Sequence, residues 1–145
     1  MGPPSSVVLD TNVVISGFLT PGNSREILKL AAKRTIFVFS SPSLEQELAD
    51  KLRNKFRHSD KIIAHELATY RELVHQFVFP KKSLKVIKID EADNRVLEAA
   101  IESRAQFIIT GDKHLLELGD YKGIKILKPT EFLSRTPFAE NHIEG

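Results

Sequence analysis

The chain has 145 residues, of which 41% are hydrophobic and 28% are charged, a balance typical of one globular domain. It contains no cysteine, which excludes a disulfide framework and a thiolate zinc site, and no run approaches the ~20 apolar residues that a membrane span needs. The net charge of +2 permits nucleic-acid binding but does not argue for it. Residues 1–6 lack the regions of a signal peptide, so a cytoplasmic location is expected.

The predicted domain covers residues 7–135. Residues 1–6 are expected to form a loose leader, and residues 136–145, which are mostly polar, a poorly ordered tail. The domain opens on Val7-Val8-Leu9, an apolar run typical of a strand buried on both faces of a parallel sheet. The run stops on Asp10, which is therefore expected where the strand leaves the core.

Short apolar runs alternate with amphipathic helical patterns along the rest of the domain. Further strands are predicted at residues 36–39, 84–89, 107–110 and 123–127, the last as an edge strand. Helices are predicted after an N-capping turn at 21–24, after Ser41-Pro42, from Ser59 to Gln76, from Asp90, around 115–118 and from Pro129. Residues 77–82 are expected to be a connection. This alternation predicts an α/β fold with a mainly parallel sheet of roughly five strands.

Carboxylates follow three of the predicted strands. Asp10 and Asp112 come at or just after strand ends, and Asp90 and Asp93 bracket a helix start, where they resemble a capping box. The carboxyl ends of parallel strands share one edge of a sheet, so these acids are expected to meet there. Clustered acids need a compensating cation, and carboxylate oxygens suit Mg²⁺ or Mn²⁺. Such sites commonly serve phosphate chemistry, which points to phosphodiester hydrolysis.

Four pieces of the sequence resemble, in order, the motifs of the PIN-domain family of ribonucleases. They are Val-Leu-Asp10-Thr-Asn12-Val, Ser41-Pro-Ser-Leu-Glu-Gln-Glu47-Leu, Asp90-Glu-Ala-Asp93-Asn94-Arg-Val-Leu-Glu-Ala-Ala and Phe107-Ile-Ile-Thr110-Gly111-Asp112-Lys-His-Leu-Leu. Each piece alone is weak, because short acidic motifs recur by chance, but all of them in order are specific. The likeness runs from Val7 to Leu133, and its ending from Gly123 is similar to the bacterial and archaeal toxin branch.

The resemblance implies a three-layer α/β/α sandwich and Mg²⁺- or Mn²⁺-dependent cleavage of RNA. It implies four catalytic, metal-binding acids and two supporting polar residues: Asp10, Glu47, Asp93 and Asp112, with Asn12 and Thr110. It also implies an antitoxin protein as partner of a toxin, and a homodimer. A PIN nuclease of RNA processing or decay, without an antitoxin, is the alternative within the family.

The residue pattern alone does not decide which glutamate is the second of the four acids. At 100° per residue, Glu45 and Glu47 flank opposite sides of the leucine stripe at positions 44, 48 and 52, so periodicity does not choose between them. Only the Glu-Leu pairing of the family favours Glu47.

Structural interpretations compete with each proposed role. Asp10 could cap the next helix, Asp93 could complete the capping box, and Asp112 could form a turn. Lysines at 81, 82, 85 and 88 could contact phosphates, but their charge alone assigns no RNA contact.

Two other function classes fit the sequence less well. An aspartyl phosphotransferase would need a second Asp where Asn12 stands, and a phosphoacceptor receiver domain has no place for Glu47 and Asp93. An inactive PIN-like binding module is disfavoured because all four acids are present.

Overall fold

The computed structural model describes residues 3–88 and 90–135, which fold around a six-stranded sheet. Its strands are β1 (Ser5–Leu9), β2 (Ile36–Ser40), β3 (Gln76–Phe77), β4 (Phe107–Ile109), β5 (Asp120–Tyr121) and β6 (Ile124–Leu127). Its helices are α1 (Thr11–Leu19), α2 (Asn23–Ala32), α3 (Pro42–Asn54), α4 (Asp60–Leu73), α5 (Glu91–Ser103), α6 (Lys113–Leu118) and α7 (Pro129–Leu133). The strand order is β3-β2-β1-β4-β6-β5, and only β5 is antiparallel to its neighbour. The predicted α/β class is confirmed.

Helices cover both faces of the sheet, because successive residues of the central strand β1 point to opposite sides. Val7 and Leu9 belong to one hydrophobic core, which buried residues of α1, α2, α4 and α7 complete. Val8 belongs to a second core, which α5 and α6 close. This double burial accounts for the continuous apolar run in the sequence and produces the three-layer α/β/α arrangement. Within residues 3–88 and 90–135, no helix is long and apolar enough to cross a membrane.

The carboxyl ends of β1 and β4 lie side by side. Leu9 is in register with Ile109, and the next residue, Asp10, donates its backbone N–H to the Ile109 carbonyl at 3.0 Å. On the other side of β4, the Thr110 N–H donates to the carbonyl of Leu127 at 2.9 Å. The residues that follow these strands therefore emerge together at one edge of the sheet.

Most of the predicted helix starts are confirmed. The hydroxyls of Ser41 and Ser59 and the carboxylate of Asp90 each accept a hydrogen bond from a first-turn backbone N–H, of α3, α4 and α5 respectively. Pro42 follows Ser41 at the start of α3, where its missing N–H costs no helical bond. α2 differs, because it starts after Gly22 without a side-chain cap.

The strand predicted for residues 84–89 is wrong, since residues 84–88 lie outside the sheet. Side chains of α5 form hydrogen bonds with the backbone of this segment instead. The Leu84 N–H donates to Glu98 at 2.7 Å, and Asn94 both accepts from the Ile87 N–H and donates to the Ile87 carbonyl. Leu84 and Ile87 pack into the second core while the lysines between and after them are exposed. Such a one-sided segment has the apolar–polar alternation of a half-buried strand.

Both edges of the sheet differ from the prediction. β3 occupies residues 76–77, where a helix end and a connection were expected, and it pairs in parallel with the end of β2. β5 pairs with β6, so β6 is not the edge strand. Strands of two residues are too short to show any periodicity. β1 begins at Ser5, inside the segment predicted as leader, and the tail predicted for 136–145 lies outside the described residues.

Candidate active site

Asp10 lies at the centre of the carboxyl edge, between β1 and α1. Its side chain is 3% exposed, and its Oδ1 accepts a hydrogen bond from the Asn12 N–H at 3.3 Å. Its Oδ2 accepts a 2.6 Å hydrogen bond from the hydroxyl of Thr110, a fully buried residue directly after β4. The acid is therefore held from two segments, and the N-cap that it provides for α1 does not use both oxygens.

The Thr110 hydroxyl also orients Asp112. While it donates to Asp10, it accepts the backbone N–H of Asp112 at 2.9 Å. Asp112 caps α6 through Oδ1, which accepts the N–H groups of His114 and Leu115 at 2.8 and 3.2 Å. One hydroxyl thus fixes the spacing between two acids that follow neighbouring strands.

Three acids form a tight cluster beside this pair. Asp90, Asp93 and Asp112 each place a carboxylate oxygen within 4.8 Å of the other two. Burial, a hydrogen bond with Asp112 and the negative charges of Asp112, Asp90 and Asp10 raise the pKa of Asp93 to about 8. In the absence of a cation, the protonated form of Asp93 is therefore favoured at neutral pH. The Asp90 half of the predicted capping box forms, but Asp93 faces the acids instead.

Glu47 approaches Asp10 from α3 on the other side. Burial raises the pKa of Glu47, the Lys51 ammonium opposes this effect, and the charge of Asp10 adds to it. Lys51 Nζ lies 3.3 Å from Glu47 Oε1 and donates to Thr11 Oγ1 and Asn12 Oδ1, both at 3.1 Å. This lysine joins α3 to the first turn of α1.

Glu45 lies elsewhere on α3. Its carboxylate pairs with the exposed guanidinium of Arg71 on α4, with N–O distances of 2.6 and 3.2 Å. The two glutamates that the helical pattern did not distinguish therefore have different environments, and Glu47 is the one beside Asp10.

The donor set fits a hard divalent cation. Among the described residues, Glu47 Oε2 and Asp93 Oδ2 are buried oxygens without a hydrogen-bond partner. A buried acceptor of this kind is costly unless a cation or water satisfies it. The raised pKa of Asp93 has the same origin, an excess of negative charge away from water. Oxygen ligands alone, with no histidine or thiolate, suit Mg²⁺ or Mn²⁺.

The structure brings Asp10, Asp93 and Asp112 to one edge, with Glu47 next to Asp10. Asn12 is exposed. Its side-chain oxygen accepts a hydrogen bond from Lys51 rather than orienting one of the acids. Sequence reasoning treated Asp90 as a cap, with an outer role near the metal as the alternative, and gave Lys51 no role. The available signals were the three-residue spacing of Asp90 and Asp93, and the four-residue spacing of Glu47 and Lys51, which places both on one helix face.

A family model of the PIN domain matches residues 6–114 of this chain. The chain belongs to the PIN-domain family. The match runs from β1 into α6, so it includes every acid described above. PIN domains are nucleases, that is, hydrolases of phosphodiester bonds.

Among solved structures, this PIN domain is similar to a chain in the crystal structure of VapBC2 from Rickettsia felis bound to a DNA fragment from their promoter. The TM-score is 0.61 at 16% sequence identity, and the match covers 83% of this chain and 96% of that chain. At this identity the similarity is one of fold. The comparison with curated proteins gave no match.

Proposed function

We propose that this PIN domain is an endoribonuclease that uses Mg²⁺ or Mn²⁺ to hydrolyse RNA phosphodiester bonds. The observation that supports this most directly is the meeting of Asp10, Asp93 and Asp112, from three separate segments, at one edge of the sheet. Thr110 links Asp10 to Asp112, carboxylate oxygens of Asp93 and Asp112 lie within 4.8 Å, and the pKa of Asp93 is raised to about 8. A stable fold tolerates such crowded acids only with a proton or a cation between them. Divalent cations held by carboxylates are the usual basis of phosphodiester hydrolysis.

Asp10, Asp93, Asp112 and Glu47 would hold the ion or ions, and Asp90 places a further carboxylate oxygen within 4.8 Å of those of Asp93 and Asp112. Bound Mg²⁺ or Mn²⁺ would activate water and stabilise the charge that develops on the phosphate and the leaving oxygen. The chain's own contribution is orientation. The Thr110 hydroxyl holds Asp10 and the Asp112 backbone, so that their oxygens stay fixed while the substrate binds.

Lys51 contributes the one ammonium that touches this edge among the described residues. It opposes the rise of the Glu47 pKa that burial causes, and it ties α3 to Thr11 and Asn12. We assign it a positioning role for Glu47.

We further propose that the protein is the toxin of a toxin–antitoxin pair, that it acts in the cytoplasm, and that it forms a homodimer. The resemblance of the residues after Gly123 to the toxin branch supports this assignment. The fold shared with a VapBC2 chain is consistent with it. Co-expression with the product of a small neighbouring gene tests it: the two proteins should copurify, and the partner should suppress RNA cleavage and growth arrest.

RNA cleavage by purified wild type, Asp10→Asn and Asp50→Asn tests the nuclease assignment. Asp50 is an exposed acid of α3 and serves as the matched control. We expect cleavage with Mg²⁺ or Mn²⁺ by wild type and Asp50→Asn, and none with EDTA or by Asp10→Asn. Cleavage that survives both chelation and Asp10→Asn would contradict the proposal.

A further inference from the structure

We propose that the cavity between segment 83–88 and α5 binds a backbone phosphate of the RNA. This inference deepens the proposed nuclease function and rests on it for the choice of RNA. The cavity has a volume of about 330 Å³. Its lining includes Lys85, Lys88 and Arg95 as cations and Glu91 as its one acid among the described residues.

Two of the three cations of the cavity are free to meet an anion. Lys85 and Lys88 are exposed, and neither takes part in an ion pair within the described part of the chain. Arg95 is held by Glu98 at 2.8 Å, while its Nε is a buried donor without an acceptor among the described residues. An excess of positive charge with an unused donor favours a phosphate rather than a neutral ligand.

The cavity is a defined structure, not a flexible basic loop. Asn94, which lines it, is 1% exposed and holds both backbone polar groups of Ile87 at 2.7–2.8 Å. Glu98 accepts the N–H of Leu84. These bonds fix the positions of Lys85 and Lys88 relative to α5 without using their side chains.

The cavity and the acid cluster both lie at the start of α5, on different sides of the helix. Asp93 faces Asp112, whereas the next two residues of α5, Asn94 and Arg95, line the cavity. Lys88 lies two residues before Asp90 in sequence. At about 100° and 1.5 Å per residue, Arg95 lies about 200° around α5 from Asp93 and only about 3 Å further along its axis. The cavity therefore opens on the other side of this helix from the acids, and the phosphate that it binds is not the neighbour of the scissile bond.

Two double variants of equal charge test this assignment. Lys85→Ala/Lys88→Ala removes two cations of the cavity. Lys81→Ala/Lys82→Ala removes two exposed cations that come just before segment 83–88 and do not line the cavity. Both are made in the Asp10→Asn background, in Mg²⁺, so that binding of a labelled single-stranded oligoribonucleotide is measured without cleavage. The same pairs in the active protein give kcat and KM.

For Lys85→Ala/Lys88→Ala we expect about tenfold weaker RNA binding, a raised KM with little change in kcat, and a salt dependence reduced by about one in log–log slope. For Lys81→Ala/Lys82→Ala we expect a loss below about threefold, since only long-range attraction is removed. Within each background, thermal unfolding of the two double variants should match that of their parent, because the lysine substitutions remove no buried bond.

Equal losses in the two double variants would show only general attraction of charge and would overturn the proposal, as would no loss in either. Loss of antitoxin binding with RNA binding intact would make the cavity a protein-docking site and overturn it too. Micromolar binding of inorganic phosphate, together with RNA binding that does not depend on Lys85 and Lys88, would also overturn the proposal. The nuclease proposal fails separately. If the wild type binds RNA through Lys85 and Lys88 but cleaves no RNA, the nuclease proposal is contradicted and the cavity assignment stands.

Discussion

Thr110 Oγ1 donates a 2.6 Å hydrogen bond to Asp10 Oδ2 across 100 residues of sequence. The same oxygen accepts the N–H of Asp112. The hydroxyl thus sets the geometry between two strand-end acids without being an acid itself. Its position follows from the parallel pairing of β1 with β4, which places the two residues after the strands side by side.

Replacement of Thr110 by Val should disable the site while leaving the fold intact. Val has a similar shape but provides neither the donor to Asp10 nor the acceptor for Asp112, and loss of such supporting bonds typically costs about 10–100-fold in activity or metal affinity. Kinetics of RNA cleavage and Mg²⁺ titration calorimetry measure the effect. Thr110→Ser keeps the hydroxyl and should retain most activity; a Val variant as active as the Ser variant would contradict the role.

Glu47→Gln and Glu45→Gln should have different effects on activity. Glu47 lies beside Asp10 with a buried, unpartnered oxygen, so its neutralisation should lower kcat by about tenfold or more, as expected for a lost ligand. Glu45 pairs with the exposed Arg71, and loss of a surface pair has little effect. RNA cleavage at saturating Mg²⁺ compares them. The assignment of the second acid is reversed if only Glu45→Gln impairs cleavage.

The stability of the metal-free protein should fall as the pH rises toward 8. The pKa of Asp93 is raised from 3.8 to about 8 in the folded state, so folding favours its protonated form. The unfolded chain then binds fewer protons than the folded one between pH 4 and pH 8, and linkage makes the free energy of unfolding decrease across that range. Thermal unfolding in EDTA at pH 5 to 9 measures this.

Mg²⁺ should displace the proton of Asp93, so the stabilisation that it gives should increase with pH over the same range. The release of protons on binding can be measured by calorimetry in buffers of different ionisation enthalpy. Asp93→Asn is the control and should flatten the pH dependence in EDTA. A stabilisation by Mg²⁺ that is equal at pH 5 and pH 8 would argue against proton–metal competition at Asp93.

Lys51→Met should move the acidic limb of the pH–rate profile to higher pH. Lys51 opposes the rise of the Glu47 pKa, and without the ammonium Glu47 stays protonated over a wider range. The control is Lys55→Met, which removes the same charge one turn further along the chain. Lys55 Nζ lies over the ring of Phe56, and it forms no salt bridge with an acid among the described residues. Equal shifts in the two variants would mean that only the overall charge matters.

Asn94→Ala should destabilise the protein by about 2–4 kcal/mol, because two buried backbone groups of Ile87 lose their partners together. Denaturant unfolding at fixed pH in EDTA measures this loss. Asn54→Ala, at an exposed position in the last turn of α3, should change stability by less than about 0.5 kcal/mol. If the two substitutions cost the same, residues 84–88 are not held in the way described.

Local patterns in the sequence were enough to predict much of the fold. The apolar run before Asp10 required a strand buried on both faces, and Ser41-Pro42, Ser59 and Asp90 marked helix starts because capping depends on neighbouring residues only. The strand predicted for 84–89 was wrong because a segment that packs one side on a helix has the alternation of a half-buried strand.

The sequence by itself determined the α/β class, the strand-end positions of Asp10 and Asp112, and the order of the motifs that resemble PIN domains. Tertiary structure decided which side chains meet: that Glu47 rather than Glu45 approaches Asp10, that Asp90 joins Asp93 and Asp112, and that Lys51 bridges α3 and α1. The physical reason is the separation along the chain over which each kind of interaction acts. Caps and periodicity act over a few residues, whereas burial, charge crowding and hydrogen bonds act between groups that only the packed sheet and helices bring together.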